Sequence, residues 1–269
     1  MIVSLRIELT ERILDYTMYK KKIILNLLIT VLLFISQATP ALAREWQKPM
    51  PGIEYRDLAT NPLIPWAHIH VFRIDLNQYQ LDLFSAKELS HKQASIDVLA
   101  HKSKALIAIN GGFFDQKFRP LGLRVKQKRV YNPIKRISWW GIFYITNKQP
   151  HIISSHEYSD NIQSDVAIQS GPRLIIDGYI PHLKPGFAER SALGITKNNK
   201  VIILVTDNAM LTTTELATVM KSKPLNCQNA LNLDGGSSSQ LFAQVGRLQL
   251  NVHGFSNVSD AIVIKKNLH

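Results

Sequence analysis

Asn232-Leu233-Asp234-Gly235-Gly236-Ser237-Ser238-Ser239-Gln240 is the stretch on which the reading of this chain turns. The apolar run that leads into it, Ala230-Leu231-Asn232-Leu233, reads as a short buried strand. The strand ends on a carboxylate, then two glycines, then three hydroxyls. Glycine admits positive φ and lets backbone N–H groups come close to a ligand. Successive N–H groups in such a turn form a concave site suited to an anion or a sugar oxygen, and the serines add rotatable donors and acceptors. The plain alternative is a tight turn capped by an aspartate, because glycine and serine are ordinary turn residues.

Around this stretch the chain is dominated by strand signals. Residues 67–75 alternate polar and apolar side chains, the period of a half-buried strand, and residues 80–84 are expected to pair with them as a hairpin. Residues 105–109 form a continuous apolar run and so a buried strand. Residues 121–125, 140–146, 152–153, 166–169, 174–176 and 261–264 are further strands. Residues 191–196 and 201–206 flank the turn Lys197-Asn198-Asn199-Lys200 and read as a hairpin. Two helices are expected. One runs over 95–102, starting near Ala94 or Ser95; the other spans 213–221, with threonines to cap it and Glu215 favouring its N-terminal dipole. Many strands and few helices give an α+β class, a single domain with a large mixed β-sheet.

Four loops share one design, in which a strand is flanked directly by glycine and small polar residues. They are Asn110-Gly111-Gly112-Phe113-Phe114-Asp115, Gln169-Ser170-Gly171-Pro172-Arg173, Glu189-Arg190-Ser191-Ala192-Leu193-Gly194 and the opening stretch, with Asp207-Asn208 as a fifth candidate. Functional residues concentrate on loops held by rigid strands. Taken in order, Asn110-Gly-Gly-Phe-Phe, Ser170-Gly-Pro-Arg173-Leu, Arg190-Ser-Ala-Leu-Gly194 and Asn232-Leu-Asp-Gly-Gly-Ser-Ser238 resemble the phosphodiester glycosidase domain family. That family includes the lysosomal uncovering enzyme and bacterial exported proteins. The resemblance covers roughly Ile69 to Ile264 and implies hydrolysis of a sugar–O–phosphate glycosidic bond. Where many members read Asp-Gly-Gly-Gly-Ser, Ser237 here takes the third glycine's place.

The residue types fit that chemistry. A phosphodiester is anionic and calls for a cation and N–H donors. Arg190 is the first candidate and Arg173 the second, since a guanidinium grips two phosphate oxygens at once. Gly111, Gly112, Gly235, Gly236, Ser237 and Ser238 would supply the cradle, together with Ser191. Breaking the sugar C1–O bond builds positive charge on the ring. A carboxylate, Asp234 first, would stabilise it as nucleophile or as base for a water. Phosphate is a good leaving group, its second pKa being about 6, so a dedicated general acid is less needed. Glu189, Asp115 and Asp207 are candidate second carboxylates, and Asn110, Asn208 and Asn232 candidate ligands for sugar hydroxyls. His68, His70, His91, His101 and His253 lack metal-ligand spacing, and no cofactor is expected. A divalent cation such as calcium on aspartate carboxylates stays open. Trp139-Trp140 and Phe113-Phe114 read as packing residues, although a tryptophan could also stack on a sugar ring.

The first 43 residues read as a secretory signal peptide: Lys20-Lys21-Lys22, an apolar run of 13 residues from Ile23 to Ile35, then the cleavage motif Ala41-Leu42-Ala43. The run is short for a membrane span, which needs about 20 residues. Met18 is the expected true start. Residues 44–66, with Pro49, Pro51, Pro62 and Pro65, form an extended lead-in, and 67–269 the domain. Removing Arg6, Arg12, Lys20, Lys21, Lys22, Glu8, Glu11 and Asp15 lowers the net charge from +12 to +10. A basic exported domain suits phosphate-linked sugars or anionic glycans, and nucleic acid ranks last among its partners. Cys227 is the sole cysteine, so an intramolecular disulfide and a cysteine metal site are excluded; it reads as a small buried hydrophobe. The rival class is a non-catalytic module that binds anionic glycans. A phosphodiesterase splitting the P–O bond usually calls for a metal cluster, which the scattered histidines do not supply.

Overall fold

The computed structural model describes residues 18–27, 30, 45–58, 63–159 and 161–267. The chain divides into two compact units, residues 1–45 and 46–269. In the first, residues 18–27 are helical. Among the described residues no helix is long and apolar enough to cross a membrane. The expected cleavage motif, Ala41 to Ala43, and residues 1–17 lie outside the described residues.

The second unit is built from three antiparallel sheets and a short ribbon. The largest sheet has seven strands in the order Gln47–Met50, Ile53–Asp57, His68–Ile74, Val201–Asp207, Ser191–Thr196, Cys227–Asn232 and Arg173–Ile175. A five-stranded sheet runs Leu248–Val252, Leu241–Val245, Ile107–Asn110, Asp260–Lys266, Tyr79–Ser85. The other five-stranded sheet runs Arg129–Asn132, Arg124–Lys126, Val166–Ser170, Gly141–Thr146, Gln149–Ser154. Phe187–Ala188 and Leu211–Thr212 make the ribbon. Inner faces of all three sheets meet in one core, where Phe72, Leu83, Ile109, Phe143, Ile168 and Ile203 are fully buried.

The α+β class holds, and two of its details differ from expectation. Every described strand pairing is antiparallel, so no sheet is mixed, and the strands divide among three sheets and a ribbon where one large sheet was expected. Periodicity locates a strand and its faces but says nothing of its neighbour. The expected hairpin of 67–75 with 80–84 does not form. His68–Ile74 pairs with Ile53–Asp57 and Val201–Asp207, whereas Tyr79–Ser85 pairs with Asp260–Lys266 in another sheet. Both strands bury side chains on both faces, Val71 and Phe72 in one and Leu81, Asp82 and Leu83 in the other, and a local two-stranded hairpin cannot cover two faces. The lead-in is also partly sheet, since Ile53 and Tyr55 enter the core.

Helix α1, Ile96–Ser103, buries Ile96, Leu99, Ala100 and Ser103 at helical spacing against Ala108, Ala261 and Val263 on the outer face of its sheet. Helix α2, Thr213–Lys221, does the same with Leu216, Ala217 and Met220 against Ala192, Ile202 and Leu204. The start of α2 is fixed by a capping box. Thr212 Oγ1 accepts from the Glu215 N–H at 3.1 Å, and the Glu215 carboxylate accepts from the Thr212 N–H at 2.8 Å. The hairpin Ser191–Thr196 with Val201–Asp207 forms as expected, with Ser191 opposite Val205.

Candidate active site

Asn110 ends a strand, Ser191 begins one, and Asn232 ends a third. These three termini meet, and hydrogen bonds join them. Asn110 Nδ2 donates to the Asp234 carbonyl at 2.8 Å, and Asn110 Oδ1 accepts from the Ser191 hydroxyl at 2.7 Å and the Gln240 N–H at 3.2 Å. The Asp234 N–H reaches the Gly111 carbonyl at 3.3 Å, the Leu233 N–H the Ser191 carbonyl at 2.9 Å, and the Gly236 N–H the Glu189 carbonyl at 2.8 Å. Asn110 was expected to hold a sugar hydroxyl. It is fully buried instead, with both ends of its amide committed to the protein, and it acts as the pin that joins the three loops. Gln240 and Ser191 share that task.

Asp234 sits half-buried above this pin. Burial pushes its carboxyl above the usual range, while the Ser238 hydroxyl and the Gly235 N–H, at 3.0 Å from Oδ1, work against the shift. The turn departs from a free N–H cradle: Gly235 donates to Asp234 itself and Gly236 to Glu189. Gly236 takes the left-handed conformation, φ 60°, and Ser237 follows it in a short 3-10 turn, so a serine fits where relatives carry a glycine.

Arg190 departs further from expectation. Its Nε donates to the Leu211 carbonyl at 2.9 Å, and its Nη2 bonds both the Gly186 carbonyl and Thr213 Oγ1. A two-pronged grip on phosphate through Nε and Nη2 is therefore unavailable, and only Nη1 stays uncommitted among the described residues. Arg173 lies directly opposite Leu231, on the inner face, and its buried Nε has no partner. Asn232 Nδ2 donates to the carbonyls of Gly171 (3.0 Å) and Leu233 (2.6 Å), leaving Oδ1 buried and unpaired.

Of the candidate second carboxylates, Asp115 is occupied in its own turn. Its Oδ1 accepts from the N–H groups of Arg119 (3.0 Å) and Lys117 (2.8 Å), its Oδ2 from Arg119 Nε (2.7 Å), and these bonds hold the carboxyl low. Glu189 and Asp207 stand together at the ends of neighbouring strands. Glu189 Oε1 accepts from the Asn208 N–H at 3.1 Å; partial burial, then the Asp207 charge, push its carboxyl upward. Asn208 is exposed, in the left-handed region, and donates to Asp207 Oδ1 at 2.8 Å. His70 Nε2 lies 3.9 Å from Asp207 Oδ2. Among the described residues, no group of three or more His, Cys, Asp or Glu side chains could hold a metal ion.

Beneath the Gly111-Gly112 turn lies an ion pair that sequence reasoning missed. Arg124 Nε and Asp260 Oδ2 are 2.8 Å apart, and neither side chain has any exposure. The two residues are 136 positions apart, in strands of different sheets, and no local pattern links them. Ser170, whose buried Oγ has no partner among the described residues, borders the same turn, its Cβ 3.4 Å from where a Gly112 Cβ would stand.

The structure resembles solved proteins over most of its length. It matches the zebrafish N-acetylglucosamine-1-phosphodiester alpha-N-acetylglucosaminidase catalytic domain, auto-inhibited by its pro-peptide, with TM-score 0.61 and 18% identity over 82% of this chain and 86% of that one. A hypothetical protein from Synechocystis matches with TM-score 0.60 and 16% identity, over 83% of this chain and 64% of that one. At these identities the likeness shows the fold. The uncharacterized protein YigE of Escherichia coli is 30% identical over 141 residues, 48% of this chain. The chain spans about half the length of that relative, 55%. The phosphodiester glycosidase family model matches residues 103–265, more than half of the chain and every loop of the site described above. The chain belongs to the phosphodiester glycosidase family.

Proposed function

We propose that this protein is an exported hydrolase that cleaves the glycosidic bond of a sugar-1-phosphodiester, releasing free sugar and a phosphomonoester. One observation carries the reading: four loops distant in sequence are bonded to one another around a single half-buried carboxylate, Asp234. Family membership supports the reaction class, and the basic, apolar and Ala-Leu-Ala segments of the N-terminus support export.

In this reading the ionised Asp234 faces the anomeric carbon and stabilises the positive charge that develops as the C1–O bond breaks, as nucleophile or as base for water. The departing phosphate leaves as a stable anion. Its charge is met by Arg173, on the same face as Ser191. Glu189, raised by burial and by Asp207, is the second carboxylate best placed to carry a proton. The test is release of reducing sugar and phosphomonoester from a panel of sugar-1-phosphodiesters, with Asp234→Asn as control. No turnover by the wild type across the panel overturns the reading. Oxygen-18 from labelled water should enter the sugar; entry into phosphate would mean P–O cleavage. The net charge of +12 favours a second reading, a module that binds anionic glycans without cutting them. Salt-sensitive binding with no product, unchanged in Asp234→Asn, would select it.

A further inference from the structure

The geometry points to a new role for Arg124 and Asp260: they are a positioning pair that fixes the Asn110-Gly111-Gly112 turn against Asp234 and balances the charge at its carboxylate. The role rests on the reaction proposed above, in which Asp234 acts ionised.

A buried ion pair is weak as a stabilising device, since desolvating two charges offsets much of their attraction. An apolar pair would fill the same space at less cost. This one is placed directly behind the turn. A Cβ at Gly111 would meet Asp260 Oδ1 at 1.9 Å, and a Cβ at Gly112 would meet Arg124 Nη2 at 2.9 Å. The backbone closes the contact, because the Gly111 N–H donates to the Asp260 carbonyl at 3.0 Å and the Gly111 carbonyl accepts from the Asp234 N–H. Arg124 is itself locked, its Nη1 donating to the carbonyls of Leu123 (3.1 Å) and Gln169 (3.1 Å). Asp260 Oδ1 and Arg124 Nη2, the atoms against the turn, have no hydrogen-bond partner among the described residues.

The two charges act on Asp234 in opposite senses: Asp260 disfavours its ionised form and Arg124 favours it. Burial is the larger influence on Asp234. Neutralising one partner should therefore move the Asp234 titration in a direction set by which partner is lost. A pair that serves only to hold the fold predicts no such sign.

The test follows the Asp234 carboxyl carbon by carbon-13 NMR in the full chain labelled at aspartate, assigned by its loss in Asp234→Asn. The acid limb of the rate profile on a sugar-1-phosphodiester is measured beside it. Asp260→Asn should lower the midpoint and Arg124→Gln should raise it, with the acid limb following each. Arg124→Lys keeps the charge and should restore the midpoint while kcat falls below that of the wild type, because the shorter side chain without the guanidinium fork cannot hold Asp260 and both carbonyls at once. If Arg124→Gln does not fold by circular dichroism, Asp260→Asn decides alone. An unmoved midpoint, or movement in the same direction in both variants, overturns the assignment. A wild type that releases no sugar overturns the proposed reaction and leaves the NMR result to judge the pair.

Discussion

Gly111→Ala is the substitution for which the structure sets the strongest expectation. The added methyl would stand 1.9 Å from Asp260 Oδ1, 3.0 Å from its Cγ and 3.2 Å from its carbonyl oxygen. To reach even a tight contact the carboxylate must retreat by about 1 Å. It has no free direction, because it is fully buried and bonded to Arg124 at 2.8 Å. Overpacking alone costs about 1–3 kcal/mol, and a buried pair stripped of one partner costs about 3–5 kcal/mol. A partly broken pair gives a loss near 3 kcal/mol, a large share of a typical ~5–15 kcal/mol. For a domain of this size that lowers Tm by about 6–12 °C. Urea unfolding should show a lower midpoint at unchanged slope. Gly236→Ala is the contrast. No atom lies within 4 Å of its Cβ, but its φ is 60°, so conformational strain alone applies and the cost is about 1 kcal/mol. The clash reasoning also predicts non-additivity. With Asp260→Ala already present, the carboxylate is gone and Gly111→Ala should cost at least about 1 kcal/mol less than in the wild type. A Gly111→Ala cost no larger than that of Gly236→Ala, or simple additivity with Asp260→Ala, would refute it.

Asp234→Asn should abolish hydrolysis and raise Tm at neutral pH. Burial lifts the folded-state pKa of Asp234, so folding favours its protonated form and stability falls as pH climbs from the unfolded value through the raised one; the gain should vanish in acid, as melting curves across pH would show. Thr212→Ala removes the capping hydroxyl of α2 and should cost about 1 kcal/mol by urea titration. The Cys227 thiol, buried and pushed up to about 12 by desolvation, should resist a thiol reagent at pH 8 in the folded chain and react fully in urea. Arg190→Lys should cost about 3 kcal/mol of unfolding free energy, read as a lower urea midpoint, before any effect on substrate affinity is considered, because three bonds to Gly186, Leu211 and Thr213 go with the guanidinium; Arg173→Ala should instead raise KM.

Both helices were legible because their apolar residues recur at helical spacing and their starts carry capping residues, as Thr212 and Glu215 illustrate. Strands buried on both faces, such as Val201–Asp207, announced themselves as apolar runs. The hairpin Leu241–Val245 with Leu248–Val252 carries a local signal too. Gly246-Arg247 is a two-residue loop between apolar segments, with Gly246 at φ 59°. Partnership across sheets was not legible. Arg124 and Asp260 each look like an ordinary charged residue in or beside an apolar run, and only the packing of two sheets reveals that they meet.

The case of Arg190 shows how a motif and a periodicity can disagree, and which one the structure follows. Arg190 and Ser191 are adjacent in the recognised motif, which invites placing both in one pocket. Strand alternation forbids that, because neighbouring side chains point to opposite faces. Leu193 and Ile195 enter the central core, and Ser191, on the same face, reaches Asn110. Ala192 lies on the outer face against α2, and Arg190 follows it there, tying the ribbon of Phe187–Ala188 and Leu211–Thr212 to the start of α2. Arg173, opposite Leu231, falls on the inner face with Ser191. The period of two therefore puts the second candidate cation, Arg173, and not the first on the face that Ser191 shares. It leaves Arg190 to hold in place the backbone on which Glu189 and the Gly236 N–H meet.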